Sequence, residues 1–535
     1  MNAPAEFANW LSRHDHTDKW RARSSWTAWP SRTPITGQRD VRLIAGLLGL
    51  AVLAFAIRFA GPALHGGLDS RIGLDDGTYF AGAISLVNGR MPYRDFNILH
   101  PPGGLYVLAP FAQIGTLTTE MTGLVLARLA FMALGAVNTA LIGLVGARVS
   151  RATGLAAAAL YAVWVLPMIG ERSTLLIAPQ VTPMLVALLA LTSRSAAELT
   201  TRRVAVAGVA IGITGVVQIW AAIPAIVILI WLILRTRSRR RDAVRVAATY
   251  VLSGAATAAL LLSPMLLAAG PRMLQMIIFA QATRIGLHTN PVLRLQYLEG
   301  MEAGPLGIHV PVAIVLLLAV AGPCLVLFVA WRVPAIRLWA AIAASQIAVY
   351  IAMPVFLTHY RGWPAPLMAL CLGAVVAYGL ERLPAHWRAT GVVAYAVVLV
   401  LLATTSLTRG GGSRMALDAR MPELSAAHCV IADEGYVAIY THTLVRSLQN
   451  GCRVLPNPRS ISQVFNAASE GPTLAKTDQD QYQQYSIGYY TSADVVLLSR
   501  LGLDGLTDAT MAALRAEFPY QTWIGKTLEL RREAP

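Results

Sequence analysis

Long apolar runs dominate the first 407 positions, at roughly 42–60, 122–147, 152–169, 174–193, 204–217, 219–234, 246–268, 309–331, 336–356, 363–380 and 389–407. Runs approaching 20 apolar residues are what a helix needs to cross a bilayer, so eleven transmembrane helices are expected. A further apolar stretch, GGLYVLAPFAQIGTLT at 103–118, opens on Pro102-Gly103-Gly104 and contains Pro110. That suits a short amphipathic helix at the interface better than a straight span. After residue 408 the pattern changes to short alternating elements. TRGGGSR (408–414) is a flexible exit, and a small α/β domain follows to residue 535. HCVIADEG, CRVLPNP, SADVVLLSR and YQTWIGKTLELRR read as strands, with YVAIYTHTLVRSLQNG and TDATMAALRAEF as helices.

Composition agrees with the apolar runs. With 56% hydrophobic residues, 13% charged residues and a mean hydropathy of +0.55, a soluble globule is excluded. About forty polar residues precede the first span, so that span is read as an uncleaved anchor. Charge then orients the chain. If 103–118 does not cross, the basic arm 1–41, Arg148 and Arg151, Arg194 to Arg203, RTRSRRRDAVR (235–245), Arg332 to Arg337 and Arg382 to Arg388 all fall on one side. That is the cytoplasmic side by the positive-inside rule. Counting 103–118 as a span would break the rule at every later loop. The transmembrane part is thus 42–407, with a first outer loop at 61–121, and domain 408–535 lies outside. From Arg409 onward there are 12 basic and 13 acidic residues, so the net charge of +16 belongs to the membrane part. It reports topology, and a nucleic-acid partner is not expected. Three lysines against 41 arginines fit a GC-rich genome and a bacterial plasma membrane.

Polar chemistry concentrates in the first outer loop, GLDDGTYFAGAISLVNGRMPYRDFNILHPPGG (73–104), where Asp75 and Asp76 stand together. ATP is normally unavailable on that side, so chemistry there needs a substrate that carries its own activated bond. A lipid-linked phosphosugar does so: a carboxylate takes the acceptor hydroxyl's proton while polyprenyl phosphate leaves. Arg284, Arg294 and Arg361 lie outside, against the inward bias of the other arginines, and a lipid phosphate is one reason for them. Cys429 and Cys452 open consecutive strands of what would be one βαβ unit. Neighbouring strands are about 5 Å apart, within disulfide range, and an outside compartment permits the bond. Two buried free thiols are the alternative.

The order of parts resembles that of the GT-C superfamily, integral-membrane glycosyltransferases that use polyprenyl-phosphate sugars. LDDGTYFAGAISLVNGRMPYRDFNILHPPGGLYVLAPF is similar to the family's first loop, with an acidic pair, a G-x-x-P-Y-x-D turn and an H-P-P lead into the next helix. FLTHYRGWPAPLMALCLG (356–373) resembles a late His-Tyr motif, and FAQATRIG (279–286) an outer-loop Gln and Arg. The resemblance implies an α-helical polytopic GT-C-like fold and transfer of a sugar to an envelope glycan, lipid or protein. The chain is similar to protein mannosyltransferases, aminoarabinose transferases and bacterial envelope mannosyl- or arabinofuranosyltransferases, and polyprenyl-phosphate mannose and arabinofuranose are the implied donors. Asp75 and Asp76 are implied as catalytic, and Arg284, Arg294, His359, Arg361, His100 and Tyr79 as donor-binding. Where many members carry an acid in the second outer loop, this chain has APQVTP with Gln180.

Each residue also has a plainer reading. An aspartate before GTYFAGAISLVNG can simply cap that helix, Asp95 can serve a turn, and His359 with Tyr360 can be an aromatic-belt pair. The outer arginines can be interfacial anchors. Arg58 and Arg128 near span ends can snorkel, and Glu171 can pair with Arg172. No His or Cys set has metal-ligand spacing and no Walker or G-x-S-x-G motif occurs. No cofactor is required, although an acidic pair can hold one divalent ion weakly. The rival classes are a lipid-linked sugar flippase, which would place charges at mid-membrane, and a non-catalytic glycan-binding scaffold.

Overall fold

The computed structural model describes residues 41–192, 199–284, 290–300, 311–353, 355–409, 412–413, 415–417, 421–469 and 471–533. The basic arm, Arg194 of the third basic turn, Ile285 and Gly286, and parts of the 408–414 exit lie outside the described residues. Among the described residues, each segment read as a span is mostly helical. Among the described residues eight helices are long and apolar enough to cross a membrane, from Val41–Leu64 to Ala385–Thr408. Arg151–Val163 and Val165–Glu171 make a ninth if counted as one span bent by 59°. Ile177–Leu191, at 15 residues, is shorter than its apolar run suggested, whereas Thr201–Val217, at 17, extends beyond its run. Segment 103–118 is a 15-residue helix, Gly103–Leu117, with Pro110 inside it.

Burial separates the centre of the bundle from its edge. In Glu120–Ala147 and Ala365–Arg382, 50% and 56% of the most apolar window is enclosed. In Arg240–Ala269 and Ala385–Thr408 the share is 6% and 11%, so Leu252, Leu260, Val393 and Val400 face outward as a lipid-contacting surface would. Buried polar side chains tie the centre together. Arg58, expected to snorkel, is fully buried and donates to Glu171, which also accepts from Tyr161 Oη at 2.7 Å and Asn138 Nδ2 at 3.0 Å. Arg172 therefore does not pair with Glu171; it donates to the carbonyls of Ile57 and Ser406 at 3.0 and 2.7 Å. A buried charge without such partners would cost several kcal/mol.

The C-terminal region is α/β, with one four-stranded sheet in the order β1-β2-β4-β3. Its strands are β1 (Val430–Ala432), β2 (Val495–Ser499), β3 (Tyr520–Ile524) and β4 (Thr527–Arg531). β1 and β2 are parallel and the remaining pairs antiparallel. CRVLPNP is not a strand: Pro456 and Pro458 cannot donate to a ladder, and β1 takes the 495–499 segment as its neighbour. The last expected strand is a hairpin, turned at Gly525 with φ +60°. Cys429 and Cys452 are joined by a disulfide, Cα–Cα 5.9 Å, that ties β1 to this irregular segment. His428 lies beside it, but the two sulfurs are bonded to each other and so are not a thiolate ligand set.

This domain is not a separate body. The first loop and the C-terminal domain share one hydrophobic core, in which Tyr79, Phe80 and Ile84 meet Tyr436, Val437 and Leu444. Polar contacts reinforce the seam. Arg71 makes two hydrogen bonds to Glu434, 2.8 and 2.9 Å, and Val445 N–H donates to Glu120 at 2.7 Å.

Candidate active site

Helix Leu74–Val87 starts at extended Gly73, and no side chain caps it. The two aspartates occupy its first turn. Consecutive helical residues point about 100° apart, and here that difference separates their roles. Asp76 is 1% exposed, pairs with Arg128, and accepts from Thr174 N–H at 2.7 Å and Thr174 Oγ1 at 3.0 Å. Arg128 does not snorkel; it is fully buried and also donates to the Ser70 carbonyl at 2.8 Å. With all its nearby partners engaged, Asp76 holds the loop against the bundle. Asp75 keeps a quarter of its side chain exposed and faces a cavity of about 720 Å³.

The cavity is lined by Asp75, Asp76, Tyr79, His100, Arg284 and His359 on the membrane-domain side. His359 Nε2 stands 3.8 Å from Asp75 Oδ2. It sits on a short 3-10 turn, Thr358–Gly362, where its ring packs edge-on to Tyr360. Arg284 follows a π turn at Gln275–Phe279, a distortion frequent at functional sites. Its Nη1 donates to Gln281 Oε1 at 3.2 Å and Tyr360 Oη at 3.4 Å, and Gln281 Nε2 in turn donates to the Leu99 carbonyl. Gln281 thereby fastens the arginine to the His-Pro-Pro strap. Behind His100, Tyr93 adopts φ 67°, sparsely populated for a bulky residue, and its hydroxyl donates to the His100 carbonyl at 2.6 Å.

Electrostatics keeps both imidazoles neutral. Burial, then Arg284, pushes His100 down to about 4, and burial lowers His359 as well. Neither acts as a cation near neutral pH; both can still hydrogen-bond. The Tyr79 and Tyr360 phenols are raised by burial and stay protonated.

Two sequence-nominated arginines are elsewhere. Arg294 donates to the carbonyls of Ile351 and Met353 at 2.7 and 2.6 Å, and Arg361 is buried with its guanidinium over Tyr297. Neither lines the cavity, so of these three arginines Arg284 alone reaches it. Asp95 is a turn residue: it accepts from Met91 N–H at 2.7 Å, and its hydrogen bond from Arg94 holds its carboxyl low.

Sequence reasoning missed the opposite wall. Asn457, Arg459, Ser460, Asn466 and Lys476 of the C-terminal domain line the same cavity. No local motif marks them, because what brings them there is the docking of a domain 360 residues downstream, as in the Asn97 to Asn457 contact.

No family model and no curated protein sequence matches the chain. Solved structures do. ArnT from Cupriavidus metallidurans bound to undecaprenyl phosphate superposes with a TM-score of 0.54, covering 93% of this chain and 99% of its own, at 13% identity. The oligosaccharyltransferase of Archaeoglobus fulgidus, tethered with an acceptor peptide, gives 0.55 at 12% identity, covering 86% and 69%. The same archaeal protein with an inhibitory peptide and a dolichol-phosphate gives 0.54 at 13% identity, over the same shares. At such identities the likeness is one of fold.

Proposed function

From the premise that this chain has the GT-C membrane glycosyltransferase fold, we propose that it transfers a sugar from a polyprenyl-phosphate donor to an envelope glycan, lipid or protein. Transfer takes place on the extracytoplasmic face of a bacterial plasma membrane. The observation that carries this reading is the position of Asp75, a partly exposed carboxylate facing the cavity that Arg284 and His359 also line.

Asp75 takes the proton of the acceptor hydroxyl as that oxygen attacks the anomeric carbon. The bond from that carbon to the phosphate oxygen breaks, and polyprenyl phosphate leaves with the electron pair. Its growing charge falls to Arg284, whose planar guanidinium, steadied by Gln281, offers two parallel donors. His100 and His359, both neutral, hydrogen-bond sugar or phosphate without adding charge. No cofactor enters this scheme. Mannose and arabinofuranose remain the donors of choice, and a panel of radiolabelled polyprenyl-phosphate sugars offered to the purified protein separates them.

The aspartate pair supplies the direct test. Asp75→Asn should lower transfer by about two to four orders of magnitude at an unchanged melting temperature. Asp76→Asn breaks a buried ion pair and should cost about 3–5 kcal/mol of stability. Wild-type turnover by the Asp75 variant, with any donor that the parent uses, would remove the base from this site.

A further inference from the structure

The wall contributed by the C-terminal domain carries a charge arrangement that neither the donor nor the base accounts for. Arg459 is 5% exposed, yet its Nε and Nη2 make no hydrogen bond among the described residues. Glu434 Oε1 stands 3.8 Å from Nη2, beyond hydrogen-bond reach, and Glu434 is already held by both donors of Arg71. The neighbouring acid, Asp433, is equally committed: it accepts from Ser499 N–H at 2.7 Å and Ser499 Oγ at 2.6 Å.

Buried polar groups without partners are uncommon and costly, more so when charged. Lys476 adds a second cation to the same lining. Burial, then the proximity of Arg459, pushes its ammonium down to about 8, against an opposing pull from Asp433. Asp504 is also on the lining. Asn457 and Ser460 supply neutral hydrogen-bonding groups alongside.

We propose that this wall is an acceptor subsite for an anionic group, a phosphate or a carboxylate, gripped by Arg459 and Lys476. A guanidinium with two idle donors presents the fork that either anion fits. Arg284 lines the same cavity from the membrane-domain wall, with His359 and Asp75. The acceptor is therefore an acidic glycan or a phosphorylated lipid or polysaccharide, not a neutral chain. The word acceptor rests on the glycosyltransferase reading; the anion site itself does not.

Full-length protein in nanodiscs is titrated with glucose 6-phosphate, glucuronate and glucose, and binding is followed by saturation-transfer NMR. At least one of the two anions should bind about tenfold or more tightly than glucose, in wild type, in Asp75→Asn and in Arg284→Gln alike. Arg459→Gln and Lys476→Gln should each lose most of that preference. Because Arg459 is buried, Lys476→Gln, at a half-buried position, carries the test if Arg459→Gln does not fold. Preference for the phosphate alone identifies a phosphorylated acceptor, preference for glucuronate alone a uronate, and equal preference a site that reads charge. Glucose binding as well as both anions, wild-type preference in Lys476→Gln, or loss of preference in Arg284→Gln would overturn the proposal. These titrations need no turnover. A protein that binds the anions but transfers no sugar sinks the glycosyltransferase reading and leaves the anion site, whereas the reverse result sinks the site alone.

Discussion

At the scale of single residues, the sequence singled out a pair of aspartates and could not tell their surroundings apart. Adjacent letters look alike, and what distinguishes them is where Arg128 and Thr174 arrive. Arg284, Arg294 and Arg361 were singled out together, and their separate destinations were not legible. Arg294 and Arg361 are spent on carbonyls and rings, and Arg284 turns toward the cavity. His100 carries a consequence for pH. Unfolded, its imidazole takes up a proton below about 6.5, whereas folded it does so only near 4. Acid between those values therefore favours the unfolded chain, on the order of 2 kcal/mol at pH 5 for this one group. The stability is fully present above 6.5. His359, lowered in the same direction, adds to it. The fall in melting temperature from pH 7 to pH 5 should be smaller in His100→Gln than in the parent. Equal falls would place the acid sensitivity elsewhere.

At the scale of elements, helices were legible because a span of hydrocarbon demands a length that few other structures need. What was misread is the C-terminal domain, where CRVLPNP has the apolar content of a strand and the prolines of a loop. Helix Leu74–Val87 is the element on which the site depends, and its closest packing is against a backbone. A Cβ on Gly77 would fall 2.4 Å from the nitrogen of Tyr436, and one on Gly435 would fall 2.8 Å from the Gly77 carbonyl. These two glycines let the helix and the domain touch without side chains between them. Gly77→Ala should cost about 1–3 kcal/mol, the usual penalty of overpacking. It should also speed proteolysis within 421–469 relative to cleavage in the transmembrane helices. Unchanged melting and digestion would mean that the domain can withdraw without strain.

At the scale of the whole molecule, membrane class and a small C-terminal α/β region were plain from the hydropathy pattern, since both are sums over many residues. The cavity was not, because its walls come from opposite ends of the chain. The orientation in the bilayer has its own test: a cysteine introduced at Gly73 should react with an impermeant thiol reagent in intact cells, and one at Ser238 should not. Reaction at 238 alone would turn the molecule over. The shared core between first loop and final domain has a further meaning for biosynthesis. Asp75 leaves the ribosome well before Arg459 and the sheet behind it. Until the C-terminal domain has folded and docked, the cavity that Asp75 faces lacks one of its walls. A chain still short of residue 459 therefore carries the carboxylate with that side of the cavity open, and the finished cavity reports that the two distant segments have met.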